Sequence, residues 1–132
     1  MFSEIHKMSP PPEIATLVFD SSIEKAVTNV RAGQSGGLQQ LIYSTNAADI
    51  ALNIQPCNPG RRVNLMGQIM LDEDKSFDPF RIQLVHRTGA TNNTLSDDIG
   101  EFAFEDIMPG EYQIVLHKGE MGILLPHILL KQ

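Results

Sequence analysis

The run Asp72-Glu73-Asp74-Lys75-Ser76-Phe77-Asp78 comes nearest to a chemistry in this chain. Oxygen donors at alternate positions open a calcium loop, because Ca2+ takes about six to eight hard oxygen ligands. The loop also needs a turn glycine at its sixth position and a bidentate glutamate at its twelfth. Phe77 and Gln83 stand there, so the run is no EF-hand. A looser cation site would join Asp72, Asp74 and Asp78 to Asp97 and Asp98 of a second acidic loop. A solvated hairpin loop kept soluble by its charge is the stronger reading.

Other chemistries find less. The histidines are His6, His86, His117 and His127, without His-x-His or Cys-x-x-Cys spacing to announce zinc. His86 and His117 fall on expected strands and could pair across a sheet. Cys57 lies among Pro and Asn, and Ser21-Ser22 lacks a glycine elbow, so neither is set up as a nucleophile. Asn92-Asn93-Thr94 is a formal glycosylation sequon, expected to go unused without a secretion signal ahead of it. No cofactor is implied.

The totals narrow the partners. A formal net charge of −6 over 132 residues disfavours a polyanion ligand, and Arg61-Arg62 is the only adjacent basic pair. Nucleic acid is therefore not expected. No run of about 18 apolar residues is present to span a bilayer as a helix, so no membrane role is expected and a cytoplasmic site is. The single cysteine, Cys57, excludes an intrachain disulfide.

The elements that must position these groups read as short strands. Residues 1–13 form an extended tail, polar and closed by Pro10-Pro11-Pro12. From 14 onward, runs rich in Val, Ile, Leu, Phe and Tyr alternate with Gly, Pro, Asn and Asp, the signature of antiparallel β structure. Strands are expected near 14–19, 24–31, 38–44, 48–55, 63–71, 80–87, 92–95, 101–104, 111–117 and 122–130. Ile50, Leu52 and Ile54 share one face, as do Ile82 with Leu84 and Phe102 with Phe104. Residues 24–31 could also pass for a short helix, although Val27, Thr28 and Val30 are β-branched. Ser35-Gly36-Gly37 and Pro56-Cys57-Asn58-Pro59-Gly60 are turn formers between runs. The halves on either side of the second are each too small to stand alone. One β-sandwich over 14–132, formed jointly, is the expected all-β architecture.

Two turns are written in backbone terms. Asp98-Ile99-Gly100 offers a residue tolerant of positive φ at a tight turn, and Pro109-Gly110 fits the centre of a type II turn. Phe102, Phe104 and Tyr112 then carry large side chains inward, and the buried tyrosine hydroxyl needs a loop backbone partner.

The second half resembles a known family. Val63-Asn64-Leu65-Met66-Gly67-Gln68-Ile69 is similar to the opening strand of carboxypeptidase-regulatory-like (transthyretin-like, prealbumin-type) β-sandwich domains. Phe80 to Val85 matches their second strand and Thr94 to Asp98 their "T…D" segment. Gly100-Glu101-Phe102-Ala103-Phe104 matches "G-x-F-x-F", and Pro109-Gly110-Glu111-Tyr112 matches "P-G-x-Y". The resemblance spans about residues 61–130 and implies a Greek-key sandwich, usually a non-catalytic module for folding, adhesion or partner contact. Two enzyme groups with related folds do not carry over. The transthyretin-like hydrolases end in Tyr-Arg-Gly-Ser, where this chain has Leu129-Leu130-Lys131-Gln132. Intradiol dioxygenases need two tyrosines and two histidines with a His-x-His, where only Tyr43 and Tyr112 are available. The first half ("LVFDSS", "VRAG", "QQLIYS", "DIALNI") is similar to short uncharacterised bacterial proteins of regulatory gene neighbourhoods.

The C-terminal run from Met121 to Leu130 has apolar residues at both parities, which suggests a strand covered on both sides, while Pro126 argues for an edge or a break. A protein partner or a second copy covering this strand would reconcile the two, with Ile123, Leu125 and Leu129 at the interface. The expected function is thus a non-enzymatic protein-interaction module, a bacterial accessory or regulatory protein. The alternative is a small-ligand or Ca2+-binding sandwich working through the acidic loops.

Overall fold

The computed structural model describes residues 11–21, 38–57, 61–71 and 79–131. These form β1 (Glu13–Ile14), β2 (Thr16–Asp20), β3 (Gln39–Ser44), β4 (Ala48–Pro56), β5 (Val63–Leu71), β6 (Arg81–His86), β7 (Thr91–Leu95), β8 (Glu101–Ile107), β9 (Gly110–Lys118) and β10 (Met121–Leu130). The strands make two five-stranded sheets, ordered β1-β10-β9-β6-β7 and β2-β3-β4-β5-β8. Every pairing is antiparallel except β1 with β10. The acidic run at 72–78 and the strand expected at 24–31 lie outside the described residues.

Alternation builds the core. Ile50, Leu52, Ile54 and Leu65 from one sheet meet Ile82, Leu84, Ile114, Leu116, Ile123, Leu125, Ile128 and Leu130 from the other, all of them fully buried. Each such side chain contributes roughly 1.5–3 kcal/mol through loss of apolar surface to water. The fold is an all-β sandwich.

The stretch expected as one strand over 14–19 is two. Ala15 is buried between them, and its N–H donates to the Leu124 carbonyl at 2.9 Å. On one side of it Glu13 and Ile14 run parallel to β10; on the other, β2 joins β3 in the opposite sheet. A single small residue carries the chain from sheet to sheet and closes one flank of the sandwich.

A bulge explains the C-terminal run. Leu125 pairs with Ile114 but Ile128 with Tyr112, so β10 holds one residue more than β9 across this interval. The extra residue flips the phase of the strand. Ile123 and Leu125 face inward before it, Ile128 and Leu130 after it. Two alternating halves out of step read in sequence as one run apolar on both faces. Pro126 sits in the bulge, where the missing N–H breaks no ladder bond.

The bulge also exposes the His127 carbonyl to the facing sheet, where the Tyr43 hydroxyl donates to it at 3.1 Å. Tyr112 finds the backbone partner its burial demands, donating to the Met108 carbonyl at 2.7 Å. This resembles the tyrosine corner of other sandwiches, in which a hydroxyl fastens the strand-to-strand crossover just upstream. The turn beneath it is not of type II. Gly110 takes φ +154°, a positive value far from the about +80° of a type II turn, and the αL position falls on Asp106 (φ 61°) instead. Asn64 Oδ1 accepts the Asp106 N–H at 2.9 Å, which supports that conformation. Glycine is needed at 110 both for its positive φ and for room, since a Cβ there would stand 2.8 Å from His86 Nε2.

Both phenols are held above their usual pKa of 10.0, Tyr43 by burial and by the Asp20 carboxylate, Tyr112 by burial against an opposing pull from Arg62. A raised folded-state pKa means that the fold favours the neutral phenol. That contribution is complete below about pH 10 and is lost as pH climbs through the folded values. The melting temperature is therefore expected to decline from about pH 10 upward, and less steeply in Tyr43→Phe/Tyr112→Phe. Melting curves between pH 8 and 11.5 check this; an equal slope in the variant contradicts it. Near neutral pH each Tyr→Phe change costs about 1 kcal/mol from its lost hydrogen bond.

Candidate functional site

The acidic residues within the described structure serve the backbone. Asp97 Oδ1 accepts the N–H groups of Ile99 at 3.0 Å and Glu101 at 2.9 Å, and the Asp97 carbonyl accepts that of Gly100 at 3.1 Å. This aspartate organises the β7–β8 turn, while Asp98 beside it is exposed. Asp72, Asp74 and Asp78 lie outside the described residues. Among the described residues no three His, Cys, Asp or Glu side chains converge to hold a metal.

The histidines do not meet. β6 and β9 run antiparallel with Arg81 opposite His117 and His86 opposite Tyr112, so the two imidazoles stand at opposite ends of one strand pair. His86 lies edge-on to the Tyr112 ring, centroids 4.9 Å apart. Its Nδ1 accepts the Thr88 N–H at 3.1 Å, which puts the proton of the neutral ring on Nε2. The Cys57 thiol donates to Asn64 Oδ1 at 3.1 Å.

The residues expected at an interface are divided by the bulge. Ile123 and Leu125 are fully buried within the chain's own core and present nothing to a partner. Leu129 is 52% exposed. β10 is itself flanked by β9 and β1, so its Ile123–Leu125 segment is no open edge.

The open edges lie elsewhere, and they differ in how they are guarded. Unpaired strand edges invite foreign strands, and proteins blunt them with shortness, proline, charge or bulges. β1 is two residues long and follows Pro11 and Pro12. β2 carries a bulge that leaves Val18 without a partner residue. β8 carries Glu101, Glu105 and Asp106 and a bulge against β5. β7, Thr91-Asn92-Asn93-Thr94-Leu95, has none of these: five residues in unbroken register with β6, without charge or proline.

The ladder decides which backbone groups β7 offers. His86 N–H donates to the Ala90 carbonyl and Ser96 N–H to the Phe80 carbonyl, so residues 90, 92, 94 and 96 turn their amides toward β6. The N–H and C=O groups of Thr91, Asn93 and Leu95 point away from the sheet. Two anchors hold this edge straight. The buried Ser96 hydroxyl accepts the Phe80 N–H at 2.8 Å at one end, and the Thr88–His86 contact closes the turn at the other. On the solvent face beside β7 lies a hollow of about 470 Å3, lined by Arg81, Gln83, Asn93, Leu95 and His117. Leu95 is 58% exposed there.

Fold and site together define a two-sheet all-β sandwich with one unguarded edge strand among the described residues. Compared with protein-family models, with curated proteins and with solved structures, the chain matches none.

Proposed function

We propose that this chain is a non-enzymatic protein-interaction module that takes up an extended strand along β7. The carrying observation is the outward row of unpaired backbone groups at Thr91, Asn93 and Leu95, on the one described edge without charge, proline, bulge or extreme shortness. Strand addition draws affinity from main-chain bonds and specificity from the alternate side chains beside them. The hollow next to Leu95 offers a place for such side chains. In this reading the sandwich is a Greek-key domain of the transthyretin-like, carboxypeptidase-regulatory kind. Support comes from Phe102, Phe104 and Tyr112, whose family spacing coincides with buried positions. A bacterial accessory or regulatory role goes with the separate resemblance of the first half to short bacterial proteins, and a cytoplasmic site goes with the sequence expectation of no membrane-spanning run.

Immobilised protein and host extract test the reading. Wild type and Leu129→Glu are expected to retain the same protein, and Asn93→Pro to lose it, because proline removes an outward N–H and obstructs an incoming strand. Equal retention by Asn93→Pro, or none by wild type, counts against it.

A further inference from the structure

The edge reading leaves the identity of the strand open, and the register of β7 narrows it. We infer that β7 pairs antiparallel with β7 of a second copy, about a two-fold axis at Asn93. This rests on the strand-addition reading above and names its occupant.

The backbone groups fit first. A two-fold axis at Asn93 sets Asn93 against Asn93 of the second copy and Thr91 against its Leu95. All three outward-facing residues then fall in hydrogen-bonded pairs, where opposing residues exchange both bonds. An axis midway between two residues would oppose outward groups to amides already used toward β6, and an axis at Asn92 or Thr94 would pair two outward residues of β7 instead of three. The alternation of β6–β7 bonds thus excludes centres between residues, and among the residue-centred axes Asn93 alone pairs all three outward residues of β7.

The side chains fit next. Asn92 meets Thr94 and Thr91 meets Leu95, so no like charges oppose each other along the strand. Both copies carry a net charge of −6, which opposes association unless local pairs offset it. The turns at the two ends of β7 supply such pairs. Arg87 lies in the β6–β7 turn and Asp98 in the β7–β8 turn, both exposed, and among the described residues neither holds an ion pair. Antiparallel pairing lays each copy's first turn beside the other's second, bringing Arg87 near Asp98 twice. Asp97 stays with its own backbone. The interface is isologous and closes on itself as a dimer with one continuous ten-strand sheet, twice the five strands of the single copy.

Sedimentation velocity on the purified chain, from about 10 to about 500 µM, tests this, since a pairing of this length is expected to fall in the micromolar range. The wild type is expected to pass from monomer to dimer. Asn93→Pro weakens association on the order of a hundredfold while its melting temperature stays near wild type, because its N–H serves no bond to β6. Arg87→Asp weakens it about tenfold, and Arg87→Asp/Asp98→Arg restores it. A wild type monomeric at the highest concentration overturns the inference, as does a dimer indifferent to both Asn93→Pro and the charge exchange. If the purified chain is monomeric yet still retains a host protein sensitive to Asn93→Pro, the second copy falls and strand addition stands. If neither is seen, both fall.

Discussion

Leu125→Asp is expected to abolish the cooperative thermal transition, whereas Leu129→Asp, four residues on, leaves it within a few degrees of wild type. Leu125 is fully buried and packs between the sheets just before the β10 bulge. Truncating such a side chain costs about 2–5 kcal/mol, and a carboxylate with no partner adds several more. That total approaches the roughly 5–15 kcal/mol that holds a small domain together. Leu129 lies beyond the bulge, where odd positions face solvent, and a surface exchange there falls within about 0.5 kcal/mol. Circular dichroism melts of the two variants make the comparison. Similar behaviour would mean that the phase of β10 does not change at Pro126-His127, and the bulge would have to be withdrawn.

Gly100→Ala is the second large effect, about 3 kcal/mol or roughly 10 °C in melting temperature. Gly100 closes the β7–β8 turn at φ +86°, and a Cβ there would run into the backbone carbonyl oxygen of Ile69. Backbone cannot step aside as a flexible side chain does. Relief requires moving β8 from β5, which loosens the Ile69 N–H to Gly100 carbonyl bond of 2.9 Å. Gly89→Ala is the matched control: φ is +103°, but a Cβ would meet nothing within 4 Å. It bears the conformational penalty alone, about 1–2 kcal/mol. Chemical denaturation separates the two, and equal losses would assign the whole effect to φ and none to the crowding.

The strands were legible wherever one face is buried. Ile50, Leu52 and Ile54 alternate because β4 has a neighbour on each side and a core beneath it. Phe102 was legible as an inward residue, but its reason was not: it lies across from Gly67, whose missing side chain leaves room for the ring. Where phase changes inside a strand, periodicity misleads. Ile123, Leu125 and Leu129 looked alike in sequence, and one extra residue parts them into core and surface. Edge status was beyond reach, since it depends on which distant strands become neighbours. A hint existed in Thr91-Asn92-Asn93-Thr94, which has no apolar residue at either parity and so belongs to a strand that overhangs the core. The charge of Asp97 suggested a ligand, yet its carboxylate is spent on the amides of its own turn.

The crossing at Ala15 bears on the order in which the molecule is made. β2 to β5 are consecutive neighbours, a meander that needs only local closure. The parallel partner of β1 is β10, so Glu13 waits for Ile123 across nearly the whole described chain. During synthesis the meander can assemble while the first strand and the amide of Ala15 still lack their mates. The flank of the sandwich built on Glu13 and Ile14 can thus be sealed only after β10 has been made. High contact order of this kind slows folding and lengthens the time that the inner faces stand open to water.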